Sequence, residues 1–337
     1  MHIYVSTPFN LGVAYSCFGP AHQYFLVSVY KSDVRNKGRD YSAQNSILLE
    51  LANRLHLEYR VISVQEARSL VLSNNGFFAV DYRVGEILPG QRLHREIYKN
   101  LILIVNGADF WQVLAPLTEL LHGRKRARDF LLWKKTLMKL KGASFIFPGA
   151  ARANLSSRLI PVSRSHLEAT LNDVSRSLVW DLFPALKLSS DFQLLIINPE
   201  VSEFNSTHIQ QIIEEVVRIA DNSMVASFTV IKCHPATLSE KTFIEAVSSE
   251  LEKYASFKAN LKYVPILQQE LFKAFPIEFL LFAFPDSHLI GFPTTASAVV
   301  DRSRRHEVMS GNPRLDSTWI RSSSVFRFLI DEENYSG

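Results

Sequence analysis

The chain alternates between short continuous apolar runs and longer segments whose apolar positions recur at helical spacing. Ile3-Tyr4-Val5 begins a strand, and residues 59–64, 101–105 and 145–147 read as further strands. Between them, residues 46–55 place Ile47, Leu48, Leu51 and Leu55 on one helical face, and residues 111–121 repeat their apolar positions the same way. Runs of about four to eight β-rich residues that barely alternate are the mark of strands covered on both faces, as in a parallel sheet with crossover helices.

Residues 163–190 are helix-rich and end in Pro184 and then Leu188-Ser189-Ser190-Asp191, which reads as a linker. A second series begins at Phe192. Ser206 or Thr207 caps a helix carrying Ile209, Ile212, Ile213, Val216 and Val217. The strand over 224–231 follows. Then come a helix over 239–254 with Phe243, Ile244, Val247 and Leu251 on one face, a strand over 262–264 and a strand over 289–292. Residues 301–325, with Arg302, Arg304, Arg305 and many serines, read as a mobile segment, and 324–330 as a helix. The pattern predicts an α/β protein of two doubly wound, Rossmann-type domains, each with a parallel sheet, facing across a cleft. The division expected is 1–188, 189–315 and a carboxy-terminal tail 316–337.

Composition narrows the class. The 337 residues are 47% apolar and 21% charged, which suits ordinary globular domains with full cores. No apolar run approaches the roughly 18 residues a membrane-spanning helix needs. The amino terminus lacks the basic start and long apolar core of a signal peptide. A cytoplasmic enzyme is expected. Cys17 and Cys233 are the two cysteines, too few for a metal cluster or a disulfide framework. Cys233 is read either as a reactive thiol or as a small packed residue at a strand end.

The net charge of +4 is too small to indicate nucleic acid, but it is unevenly spread. Arg124, Lys125, Arg126 and Arg128 precede a segment in which Phe130, Trp133, Leu137 and Leu140 recur helically with lysines elsewhere. Residues 124–141 therefore read as a basic amphipathic helix. Two roles fit it, an ordinary surface helix packed on the core or peripheral contact with an anionic membrane; a third, nucleic-acid binding, is weakened by the lack of a basic stripe interleaved with exposed aromatics or of any standard motif, and no nucleic-acid partner is expected.

The chemistry concentrates where strands stop. The run ending at Ile231 is followed by Lys232-Cys233-His234-Pro235. Pro235 cannot extend a ladder, so Lys232 and His234 fall at the carboxyl end of a strand, where open α/β sheets bind ligands. A cation and an imidazole there suit a phosphate. An exposed Lys and a turn-filling His fit equally. The strand over 289–292 ends in Pro293-Thr294-Thr295. The two hydroxyls and the backbone N–H groups of a helix start make an anion site, or the threonines simply cap that helix.

Taken together, these segments resemble bacterial GT-B sialyltransferases, the superfamily of lipooligosaccharide sialyltransferases and capsule polysialyltransferases. The resemblance rests on Lys232-x-His234-Pro235, on Pro276-x-Glu278, on Thr294-Thr295 seventeen residues beyond Glu278, and on the opening His2-Ile3-Tyr4-Val5-Ser6-Thr7-Pro8-Phe9-Asn10-Leu11. It covers residues 1–15 and about 190–300. It implies an inverting transferase moving sialic acid from CMP-sialic acid to a hydroxyl of a cell-surface glycan, without a required cofactor or metal. His234 would contact the CMP phosphate and act as general acid. Thr294 and Thr295 would bond the same phosphate. Glu278 would hold the ribose or cytosine, and Lys232 and Pro235 would lie near the nucleotide. The tail would cross back to the first domain, and a lipid-linked acceptor would suit an enzyme peripheral at the inner membrane.

One departure bears on activity. The superfamily carries an acidic motif that activates the acceptor hydroxyl, and the matching place here reads Pro148-Gly149-Ala150-Ala151-Arg152-Ala153-Asn154, with no acid. Asp109 is the first substitute for that base and Glu203 the second. Asp81, Glu86 and Glu200 are further carboxylates near predicted turns or strand ends, and Arg152 could bind an anionic acceptor. The alternatives are a CMP-Kdo or CDP-glycerol-type transferase, since Lys-x-His-Pro occurs there too, or a nucleotide-binding protein without transfer activity.

Overall fold

The computed structural model describes residues 1–29, 41–73, 76–81, 100–105, 142–145, 159–161, 164–188, 191–198, 206–233, 240–255, 257, 260–267, 269–291, 296 and 299–308. The chain divides into two compact units, Met1–Lys37, Gln44–Leu171 and Trp319–Gly337 in the first and Gly38–Ala43 and Asn172–Thr318 in the second, so that the main division falls between Leu171 and Asn172.

The first unit is built on β1 (His2–Val5), β2 (Gln23–Ser28), β3 (Tyr59–Ser63), β4 (Phe78–Asp81), β5 (Leu101–Val105), β6 (Gly142–Phe145) and β7 (Leu159–Pro161). All pairs are parallel, in the order β3-β2-β1-β4-β5-β6-β7. Its described helices are α1 (Pro8–Phe18), α2 (Tyr41–Arg54) and α3 (Val64–Ser73). Helix α1 starts where the sequence demands it. Pro8 sits at the first turn, where its missing N–H costs nothing, and the Thr7 side chain accepts the Asn10 N–H. The helix ends at Gly19, whose φ of 70° favours glycine and whose N–H caps the Tyr15 carbonyl.

Helix α4 (Arg164–Leu182) spans the division and is followed by a 3-10 turn, Pro184–Leu186. The second unit carries β8 (Phe192–Asn198), β9 (Ala226–Ile231), β10 (Leu261–Tyr263), β11 (His288–Gly291) and β12 (Arg305–Glu307). These also pair in parallel, in the order β10-β9-β8-β11-β12. Its helices are α5 (Ser206–Asp221), α6 (Glu240–Ala255), α7 (Gln269–Ala274) and α8 (Ile277–Ala283). One core joins Leu195, Ile197, Ile231 and Ile290 of the strands to Ile212, Ile213 and Val216 of α5 and Phe243, Val247 and Leu251 of α6. Each such side chain stabilises the unit by about 1.5–3 kcal/mol. A second cluster is aromatic. Phe183 packs edge-on against Phe272 and Phe275 at 4.9 and 5.2 Å, and anchors α7.

The expected α/β class with two doubly wound parallel sheets is what the structure contains. Several elements differ from the sequence expectation. Helix α2 begins at Tyr41, five residues before the expected start, because its first turn carries no apolar stripe beyond Tyr41. Helix α1, strand β2 and helix α3 were not anticipated. Residues Pro8 to Ala14 are buried one after another, so α1 has no polar face to give it a helical period. Asp81 is the last residue of strand β4 and not part of a turn. Within 301–325, Arg302–Arg304 form a 3-10 turn and Arg305–Glu307 an edge strand, which corrects the expectation of a mobile segment there. That strand is set by pairing with β11, not by an apolar pattern. The helices expected over 111–121, 124–141 and 324–330 lie outside the described residues. No helix among the described residues is long and apolar enough to cross a membrane.

Candidate functional site

In a doubly wound sheet the ligand crevice lies at the carboxyl ends of the strands, where strand order reverses. In the second unit that point is β8. Its neighbours are β9 on one side and β11 on the other, with Ile197 opposite Ile231 and Asn198 opposite Gly291. The chain leaving β9 enters Lys232-Cys233-His234-Pro235. The chain leaving β11 enters Phe292-Pro293-Thr294-Thr295. Strands β9 and β11 therefore end on the same side of the sheet, flanking β8 and roughly 9–10 Å apart. His234, Pro235, Thr294 and Thr295 themselves lie outside the described residues, as do Asp109, Glu203, Glu200, Glu86 and Arg152.

The backbone at this edge is tightly fitted. The Lys232 N–H donates to the Ile197 carbonyl at 2.8 Å, extending the β8–β9 ladder by one residue. Gly291 has a φ of 135°, which L side chains rarely adopt. A Cβ there would stand 2.8 Å from the Asn198 carbonyl carbon and closer still to its oxygen. Glycine is required for the exit of β11 to pass β8 this closely.

Lys232 is 3% exposed. Its Nζ donates to the Cys233 carbonyl at 2.9 Å and to the Lys273 carbonyl at 3.1 Å, with the Phe272 ring centred 5.8 Å away. Burial holds its ammonium down to about 8, against the opposing pull of Cys233, Glu278 and Glu240. Glu278 stands in the first turn of α8, partly buried, and desolvation raises its carboxyl above the ordinary value. Burial pushes the Cys233 thiol up to about 12, which makes it an inert packed side chain, the second of the two readings above. The sequence did not point to Glu240 and Lys273, which close the same neighbourhood. Glu240 opens α6, and its carboxylate pairs with Lys273 Nζ at 2.6 Å. Nothing in a single sequence signals this pair, because its members are 33 positions apart on different helices.

The first sheet reverses order between β1 and β4. There the carboxylate of Asp81, 0% exposed, accepts the Ser6 backbone N–H at 3.0 Å and the Ser6 hydroxyl at 2.9 Å. The Ser6 carbonyl accepts Gln44 Nε2 at 2.9 Å. Asp81 thus joins the carboxyl ends of the adjacent strands β1 and β4.

A third polar group lies elsewhere. His288 at the start of β11 and His306 on β12 face each other, with Glu215 and Arg218 of α5 beyond. Among the described residues no cluster of three or more side chains is arranged to hold a metal ion.

No protein-family model and no curated protein sequence matches this chain. Solved structures are similar in layout at low identity. UDP-N-acetylglucosamine 2-epimerase from Rickettsia bellii is 11% identical, over 99% of this chain and 96% of that one, with a TM-score of 0.45. The α/β-galactoside α-2,3-sialyltransferase of Photobacterium phosphoreum is 11% identical over 97% of each chain, with a TM-score of 0.46. UDP-GlcNAc 2-epimerase from Neisseria meningitidis is 10% identical over 100% of this chain and 95% of that one, at 0.42.

Proposed function

We propose that the protein is an inverting glycosyltransferase that moves sialic acid from CMP-sialic acid to a hydroxyl of a glycan acceptor. The observation that supports this reading is that β9 and β11, the strands that the Lys232-x-His234-Pro235 and Thr294-Thr295 segments follow in the sequence, flank β8 in parallel. That is where a doubly wound sheet receives a nucleotide phosphate, and the residue types that follow those two strands in the sequence are the ones the resemblance assigns to that phosphate.

The chemistry follows from the leaving group. The bond between the sugar's anomeric carbon and the phosphate oxygen breaks with oxocarbenium character, and negative charge accumulates on the phosphate. His234 gives a proton to the departing phosphate, and the threonine hydroxyls donate hydrogen bonds to it. These contacts strengthen as charge develops and so favour the transition state over the ground state. A positioned acid contributes about 10²–10⁴ in rate. The acceptor oxygen bonds the anomeric carbon from the opposite face and loses its proton to a carboxylate, for which Asp109 and Glu203 are proposed. Asp81 is committed to Ser6, which favours a structural role for it. Glu278, in the first turn of α8, is proposed for the ribose or cytosine. Residues 124–141 are proposed to touch an anionic membrane if the acceptor is lipid-linked.

A second reading is favoured by one specific feature, the absence of an acid from Pro148–Asn154. In it the protein binds the nucleotide but transfers nothing.

Calorimetric titration of CMP into wild type, His234→Ala and the double variant Thr294→Ala/Thr295→Ala tests the nucleotide site. Saturable binding that weakens at least tenfold in both variants is expected. Absence of CMP binding by folded wild-type protein would sink the reading and direct attention to CDP- and UDP-linked donors. CMP binding without sialylated product from any glycan acceptor would select the second reading.

A further inference from the structure

We infer that Lys232 serves this site as a positioning residue: its side chain ties the exit of β9 to the end of α7, and so fixes the point from which the chain continues to His234, without being a phosphate ligand itself. The inference rests on the nucleotide-site reading for its consequence, but the tie itself is a property of the fold.

A lysine that reads as a phosphate ligand should present its ammonium to the crevice. Lys232 does not. It is 3% exposed, and its Nζ is committed to two backbone carbonyls, those of Cys233 and Lys273. The Lys273 carbonyl belongs to the last turn of α7, at the negative end of the helix dipole. A lysine amine is a suitable partner for such a group. The Phe272 ring is centred 5.8 Å from the ammonium, and Phe272 is itself held edge-on by Phe183. One side chain thereby fastens three things: the first residue after β9, the carbonyl of the next residue, and the end of a helix at a residue 41 positions away.

The charged and titratable groups facing Lys232 are Cys233 on its own segment, Glu240 on α6, Lys273 on α7 and Glu278 on α8. None of the three acidic groups forms an ion pair with Nζ among the described contacts. Their balance with burial leaves the amine close to losing its proton near pH 8. That supplies the distinguishing property. A neutral amine keeps two N–H donors, enough for both carbonyls, so the tie survives deprotonation. An ion pair with a phosphate would not.

Two measurements decide the matter. The first needs no ligand. In a Cys17→Ser background, the rate at which Cys233 reacts with an aromatic disulfide reagent is compared between Lys232 and Lys232→Met, with circular dichroism confirming that both are folded. Cys233 is 2% exposed and should be inert in the parent. Release of the tie should accelerate its reaction about tenfold or more. An unchanged rate in a folded Lys232→Met variant would overturn the inference. The second uses protein that keeps Lys232 and carries His234→Asn, so that neither misfolding of the Lys232 variant nor titration of the imidazole obstructs it. CMP affinity is measured from about pH 7 to 9. A positioning role keeps affinity within about twofold across that range. A phosphate ion pair to Lys232 would make affinity fall by about tenfold per pH unit above about 8, and that slope would overturn the inference. If CMP does not bind wild-type protein at any pH, the function proposed above fails while the thiol measurement still decides the tie.

Discussion

His288 Nδ1 stands 2.8 Å from His306 Nε2 across the β11–β12 pair. On its other side the His306 ring places Nδ1 2.7 Å from a Glu215 carboxylate oxygen. A carboxylate only accepts, so His306 Nδ1 carries the proton there. Its Nε2 is then the acceptor, and His288 Nδ1 the donor. Arg218 pairs with the same carboxylate and holds it below the ordinary range. The chain of contacts locks the edge strand β12 to α5 and to β11.

That arrangement gives stability a defined pH dependence. Burial, with His306 and the nearby arginines, holds His288 down to about 4, and burial lowers His306 as well. A histidine depressed in the native state binds its proton in the unfolded chain first, near pH 6.5. Between pH 6.5 and about 4 the unfolded state therefore holds more protons, and stability falls as pH falls. His288 is partly exposed, so solvent screening limits its share to about 2 kcal/mol. Urea unfolding of wild type at pH 7.5 and pH 4.5 is expected to show this loss. His288→Asn should flatten the dependence. An equally steep dependence in the variant would dissociate it from this pair.

At the opposite end of β11, replacement of Gly291 by Ala should be among the most costly single methyl additions in the second unit. The Cβ would drive into the Asn198 carbonyl at a φ that L residues rarely adopt. A loss of about 3 kcal/mol or more is expected from strain and displacement of the ladder. If the nucleotide reading holds, CMP affinity should fall in parallel. Chemical denaturation together with calorimetry separates the two effects.

In the first unit, Asp81→Ala should strand the buried Ser6 N–H and hydroxyl. The expected cost is about 3 kcal/mol, for two hydrogen bonds to a buried carboxylate. Asp81→Asn keeps an oxygen acceptor and should cost distinctly less. Equal losses in the two variants, read from urea midpoints, would mean that Ser6 is not what Asp81 serves.

The strands flanking the candidate site were legible because they are apolar on both faces. Leu194 to Ile197 and Val230-Ile231 are buried consecutively, and such runs declare themselves without any alternation. The termination at Lys232 and Pro235 was equally readable, because proline forces a turn. Helix α1 was not, since burial of Pro8 through Ala14 erased the polar half of its period. Strand β12 was hidden for the opposite reason: Arg305-His306-Glu307 is polar, and only the backbone of β11 makes it a strand. The expectation for Asp81 failed on length. Four residues between Phe77 and the segment beyond are too few to announce β4, although all four are buried.

By itself the sequence determined the α/β class, the two βα series and the residue types gathered at the ends of β9 and β11. Those depend on local periodicity and on proline and glycine, which act within a few positions. Tertiary structure decided which strand lies between those ends, that Lys232 turns inward to two carbonyls, and that Glu240 meets Lys273 and His288 meets His306. Each of these joins residues that are distant in the chain. They become neighbours only when strands pair out of sequence order, because parallel pairing is fixed by crossover packing and not by the residues that end up adjacent.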